Sequence, residues 1–136
     1  MALDIGEKRV GVAVSDLLGM TAQGVETIRR EELSADLSRL DELMREYDAV
    51  KLVVGLPRNM NGTEGERCEV VRAFADAIKE KRPDAEIVFQ DERLSTVAAT
   101  KSLIAADVSR KKRKKVIDKM AAVFILQGYL DGLSAK

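Results

Sequence analysis

The chain contains no histidine and no tryptophan, a single cysteine, two prolines, and aromatic residues at only 4%. Without histidine, Ser-His-Asp and Cys-His nucleophile systems, His-ligated zinc and imidazole general bases are excluded together. If the protein is an enzyme, carboxylates or lysines do its chemistry. Oxygen-rich sites of that kind favour hard cations such as Mg²⁺ or Mn²⁺ over zinc. Three Phe, two Tyr and no Trp also argue against a stacking platform for single-stranded bases. A nucleic acid, if bound, would be held mainly by its backbone.

The lone Cys68 has no partner for an internal disulfide and lies at helical spacing with Val71, Ala75 and Ile78, which marks it as a core residue. No apolar run approaches the length of a membrane span, and the N-terminus enters strand-like sequence without a basic region and apolar stretch. These features lead to the expectation of a cytoplasmic protein with no membrane partner. At 136 residues the chain is long enough for one full core and too short for two comfortable ones, so residues 1–136 are expected to form a single domain. The oligomeric state is not legible.

What is present is charge, at 34% of residues and a formal net of zero, but segregated along the chain. Between Glu31 and Asp48 seven acids (Glu31, Glu32, Asp36, Asp41, Glu42, Glu46, Asp48) face only Arg39 and Arg45. That segment should turn away from any polyanion. The opposite pole is Arg110-Lys111-Lys112-Arg113-Lys114-Lys115, a run that can guide a phosphate-rich ligand even on a neutral protein.

Hydrophobic periodicity predicts strands at 2–5 and 9–15 joined by a tight turn at Gly6-Glu7-Lys8, the second alternating Val10, Val12 and Val14 with small residues. A third strand follows at 24–28. Ser34 is placed to cap a helix carrying Leu37, Leu40, Leu43, Met44 and Tyr47 on one face. Residues 50–56 read as a strand buried on both sides, ended by Pro57. Thr63-Glu64-Gly65-Glu66 has capping-box spacing for a helix running to about Lys81. Residues 87–92 read as the next strand, Ser95 or Thr96 opens a helix to about Ile104, and a final helix follows the basic run and ends near 130–133. The expected fold is α/β, a mixed sheet with helices packed on it.

Three acids stand in apolar sequence: Asp4 within Leu3-Asp4-Ile5-Gly6, Glu92 at the end of Ile87-Val88-Phe89-Gln90-Asp91-Glu92, and Asp118 within Val116-Ile117-Asp118-Lys119-Met120-Ala121-Ala122. Burying carboxylates is costly without a compensating charge, so several of them aimed at apolar surroundings suggest a bound cation. Each has a plainer alternative. Asp4 could pair with Lys8 or Arg9 at the sheet end. Adjacent Asp91 and Glu92 point to opposite faces of a strand, and local sequence does not choose between them. Asp118 shares a helical face with Ala121, Ala122 and Ile125, but it could instead be the helix N-cap. For the basic run the alternative is a solvated loop.

These stretches, with Leu3-Asp4-Ile5-Gly6-Glu7-Lys8-Arg9-Val10-Gly11-Val12-Ala13-Val14-Ser15-Asp16, Val54-Gly55-Leu56-Pro57 followed by Asn59 and Gly62, Asp91-Glu92-Arg93-Leu94-Ser95-Thr96, and Ile117-Asp118-Lys119-Met120-Ala121-Ala122 with Leu126-Gln127, closely resemble the YqgF (RuvX) family. The likeness spans nearly the whole chain in order. It implies an RNase H-like mixed five-stranded sheet, three antiparallel strands then parallel ones, with helices on both faces, related to the RuvC Holliday-junction resolvases. It further implies a nuclease that processes the 5′ end of pre-16S ribosomal RNA, with Asp4, Glu92 and Asp118 as catalytic, metal-binding acids. One departure is that only Met1-Ala2-Leu3 precede the first Asp where the family has a few more residues, so either the first strand or the sequence at hand is shortened there.

The resulting expectation is a Mg²⁺- or Mn²⁺-dependent endonuclease acting on structured nucleic acid. Lys8, Arg9, Asn59, Arg93 and the run Arg110, Lys111, Lys112, Arg113, Lys114 and Lys115 would hold the strand. Pre-rRNA is preferred over a branched DNA junction by resemblance alone. Two other classes compete: a phosphate-binding module of the actin and sugar-kinase type, which needs two lobes and is opposed by length, and a non-catalytic RNA-binding or assembly protein on the same fold.

Overall fold

The computed structural model describes residues 1–16, 19–58, 61–91 and 110–134, with side chains throughout except at 110–118 and 134. Strands β1 (Ala2–Ile5), β2 (Arg9–Ser15) and β3 (Ala22–Arg29) come first, then helix α1 (Leu33–Glu46), β4 (Lys51–Leu56), α2 (Glu66–Lys81), β5 (Glu86–Asp91) and α3 (Arg110–Ser134). They build one sheet in the order β3-β2-β1-β4-β5. The β1–β2 and β2–β3 pairs are antiparallel, whereas β1–β4 and β4–β5 are parallel. The helix expected to open at Ser95 or Thr96 lies outside the described residues. No described helix is long and apolar enough to cross a membrane.

Alternation along the strands sorts their residues into two cores. Leu3, Ile5, Val10, Val12, Val14, Leu52, Val54 and Leu56 pack with Leu40, Leu43 and Met44 of α1 and with Cys68, Val71, Phe74 and Ile78 of α2. The opposite face is made of smaller residues: Ala2, Ala13 and Val53 meet Ala121, Ala122, Ile125 and Leu126 of α3. Small side chains on both partners let this helix come close to the sheet. Gly24 of β3 belongs to the same contact, since a Cβ there would lie 2.8 Å from the Lys119 side chain.

Several helix ends differ from the sequence expectation. α1 begins at Leu33, so Ser34 is inside it, and no side chain caps it. Buried Asp36 instead ties down the chain just ahead of the helix, accepting from the Glu31 backbone N–H at 3.1 Å. Tyr47 is the C-terminal cap and stays 44% exposed rather than joining the core face. Beyond it the Asp48 N–H reaches the Arg45 carbonyl and the Ala49 N–H the Met44 carbonyl, a Schellman arrangement that needs positive φ at Asp48, found at 51°. The capping box at Thr63 does not form: the Thr63 hydroxyl bonds Asn61, Glu64 is taken by Arg72 at 2.6 and 2.9 Å, and α2 starts at Glu66.

The basic run is also corrected in place. It does not precede the last helix but forms its first turns, because α3 starts at Arg110. Lys and Arg are good helix formers, and extending an already packed helix costs far less than nucleating one.

Candidate active site

Asp4 stands in the central strand of the sheet, one residue from its end, and only 6% of it is exposed. Aspartate is disfavoured in strand interiors, so its place here calls for a compensating role. Its pairing partner on β2 is Gly11, which itself pairs with Thr27 on β3. The pleat puts Asp4 on the same face as Ala2, the face covered by α3, while flanking Leu3 and Ile5 point into the larger core.

Of the other two acids, Glu92 lies outside the described residues, and Asp118 is described only as a backbone position on α3. That position is nonetheless informative. It is well inside the helix, which begins eight residues earlier at Arg110, so the N-cap alternative is removed. It sits one turn before fully buried Ala122 and two turns before fully buried Ile125, on the stripe that meets the sheet. The direction of α3 follows from its far end. Gln127 accepts from the Ala22 N–H at 3.0 Å and donates to the Met20 carbonyl at 3.1 Å, and the Tyr129 ring lies 5.2 Å from the Lys51 ammonium. Ala22 and Lys51 begin β3 and β4, so the N-terminal turns of α3 extend toward the opposite edge, where β1 ends beside Asp4.

Asp91 faces away from this region. It pairs with Leu56, a residue of the α1/α2 core, and its carboxylate lies 3.9 Å from the Arg58 guanidinium. Among the described residues no three acids or other ligands gather closely enough to hold a metal.

The basic candidates separate in the same way. Lys8 is exposed in the turn after β1, and its carbonyl accepts from the Arg30 N–H at 2.8 Å. Arg9 opens β2 half-buried, opposite Arg29. Asn59 and Arg93 lie outside the described residues, and Arg110, Lys111, Lys112, Arg113, Lys114 and Lys115 are placed by backbone alone on α3. Arg29, which sequence reading did not single out, comes to the same sheet face as Asp4. Finding it would have required the bulge between Val12 and Ala13, without which strand counting puts Ile28 opposite Arg9.

Residues 1–132 match the family model described as "RuvX: Holliday junction resolvase". The chain belongs to the RuvX family. Over 131 residues it is 60% identical to a Desulforamulus reducens relative, with 96% of this chain aligned to 95% of that one. A Bacillus subtilis relative is 57% identical over 136 residues, 98% of each chain being covered. Both relatives carry the name "Putative pre-16S rRNA nuclease". T. thermophilus RuvC in complex with a Holliday junction substrate superposes with a TM-score of 0.59 over 98% of this chain and 94% of that one, at 10% identity. The fold of this RuvX chain is therefore that of the RNase H-like resolvases. It is a nuclease of the resolvase type, and nucleic acid is its partner.

Proposed function

We propose that this RuvX chain cleaves phosphodiester bonds in structured RNA, with precursor 16S ribosomal RNA as its substrate, at a divalent-metal site formed by Asp4, Glu92 and Asp118. The carrying observation is Asp4, a carboxylate 6% exposed on the central strand beneath the helix that bears position 118. A buried charge of this kind needs strong compensation. The course of α3 toward the end of β1 supports bringing the two acids together, and Asp91, on the far face, is the weaker candidate of the Asp91–Glu92 pair. The substrate follows the names of the two relatives, and a cytoplasmic location goes with it. One sheet flanked by helices on both faces supports reading 1–136 as a single domain.

The donor set suits the proposed metal. With no histidine in the chain and carboxylates as the candidate ligands, the site offers only oxygen, the preference of Mg²⁺ and Mn²⁺. Such an ion, when bound, activates water and offsets charge gathering at the scissile phosphate. The protein's own part is to hold Asp4 rigidly in a five-stranded sheet and to fix the flanking strand through Lys8, Arg9, Asn59, Arg93 and the basic run.

The test is cleavage of a 16S precursor fragment and of a four-way DNA junction, with Mg²⁺, Mn²⁺ or EDTA, using Asp4→Asn as control. Metal-dependent cleavage of the RNA that is lost in the variant is the expected result. Cleavage unchanged in EDTA would overturn the metal site, and faster cleavage of the junction would move the substrate assignment to branched DNA.

A further inference from the structure

On the α3 face of the sheet, the row beyond Asp4, Gly11 and Thr27 consists of two arginines, Arg9 and Arg29, directly opposite one another. Side chains so paired start about 5 Å apart, and like charges there destabilise the sheet. Neither arginine is within ion-pair distance of an acid among the described residues. This is unusual for the molecule. Arg30, Arg39, Arg45, Arg58, Arg72 and Arg82 each have a carboxylate within 4.0 Å, leaving Arg67, on the outer side of α2, as the other described exception.

The neighbouring residue shows that acids were available to this part of the chain. Arg30, on the other face, approaches buried Asp36, donates to the Gly6 carbonyl at 2.9 Å and stacks over Phe74. Among the described residues Arg29 has no such contacts; it is exposed, and Lys8 beside Arg9 is exposed too. The fold thus concentrates positive charge at one end of the Asp4 face, with no carboxylate among the described residues in ion-pair reach of either arginine. An anion from outside would relieve the repulsion, and paired guanidinium forks match the oxygens of a phosphate diester. The row lies two residues along the strand from Asp4, about 7 Å, so an arginine there can touch backbone next to a bond cleaved at Asp4.

We propose that Arg29 and Arg9 together form a site for the substrate's backbone phosphate flanking the cleaved bond, with Arg29 as a binding residue of this nuclease. The proposal rests on the nuclease reading above and adds a phosphate-binding pair to it. Because phosphate carries no base information, the pair contributes affinity and register without sequence preference.

Equilibrium binding of an RNA hairpin with a single-stranded flank, in EDTA and over a range of salt, tests it without cleavage. Arg29→Ala should bind several-fold more weakly, with the slope of log affinity against log salt shallower by roughly 0.7 to 0.9. Arg29→Lys should retain the slope. Arg45→Ala, a charge control on α1 with a side chain 76% exposed, should match the wild type. The melting temperature of Arg29→Ala should be at or above that of the wild type, since a repulsion has been removed. Wild-type affinity and slope in Arg29→Ala, an equal loss in Arg45→Ala, or a lowered melting temperature that Arg29→Lys restores without restoring the slope would each overturn the site. Failure of the nuclease reading looks different: the wild type would bind the hairpin, lose affinity on Arg29→Ala, and cleave nothing with Mg²⁺ or Mn²⁺.

Discussion

The two faces of the sheet are built to different rules. Toward α1 and α2 lie the large aliphatic residues, with ion pairs at that side: Arg39 bonds Glu26 at 2.9 and 2.5 Å, and Arg82 reaches from the end of α2 to Asp41 on α1 at 2.8 Å. Toward α3 lie alanines, a valine and glycines, with an aspartate in mid-strand and two arginines set opposite each other. Burial and pairing on the first face hold the fold together. The second face gives up some stability, through small side chains and charges of like sign, and in the function proposed above it is this face that meets the substrate.

The sharpest way to break this comparison is Asp4→Asn. Cleavage should fall at least about 100-fold, some 2.7 kcal/mol of transition-state stabilisation, while circular dichroism and the melting curve report an intact fold. A protein that unfolds but loses no activity per folded molecule would reverse the roles given to the two faces. Leu43→Ala, fully inside the α1 core at 1% exposure, is the converse experiment. It should cost about 2 to 5 kcal/mol in urea unfolding and leave cleavage per folded molecule unchanged.

A smaller effect is expected from the basic turns of α3. Replacing Lys111, Lys112, Arg113 and Lys114 by Ala should weaken binding to all sequences alike and flatten the salt dependence by roughly 0.7 to 0.9 for each phosphate that is no longer neutralised. Parallel lines for wild type and variant on a plot of log affinity against log salt would confine substrate binding to the sheet. The smallest effect belongs to the paired face. The hydrogen bond from Arg39 holds the Glu26 carboxyl below its ordinary value. A depressed folded pKa contributes stability that is complete above about pH 4.3, the unfolded value, and is lost as pH falls through the folded one. Arg39→Gln should therefore cost several tenths of a kcal/mol near neutrality, since the partners are 40% and 32% exposed, and this difference should vanish in acid. Denaturation midpoints measured from pH 7 down to pH 3 would show it.

How much of this was legible in the sequence differs between the faces as well. The core beneath α1 and α2 declared itself, because Val10, Val12 and Val14 alternate and Cys68, Val71, Ala75 and Ile78 keep helical spacing. Asp4 was visible for the opposite reason, as an acid where a strand should be apolar. Arg29 was hidden by the extra residue at the bulge, which shifts every later residue of β3 to the other side. The helical state of the basic run was hidden too, since a block of like charge reads locally as a loop and becomes helix through its attachment to a packed stripe. The capping box at Thr63 failed because its residues found other partners, Asn61 for Thr63 and Arg72 for Glu64.

That α3 is unbroken from Arg110 to Ser134 has a consequence for how the protein can vary. Each residue in a helix turns the chain by about 100°, so deleting one between Lys115 and Asp118 would swing the whole cationic run by that angle about the helix axis while Ala121, Ala122, Ile125 and Leu126 stayed seated. Lengthening by seven residues, nearly two whole turns, would leave the run pointing as before and only about 10 Å farther out. Spacing at this point is therefore constrained as a phase, and an alignment that treats every gap length as equivalent would misjudge which relatives present their cations to the same side.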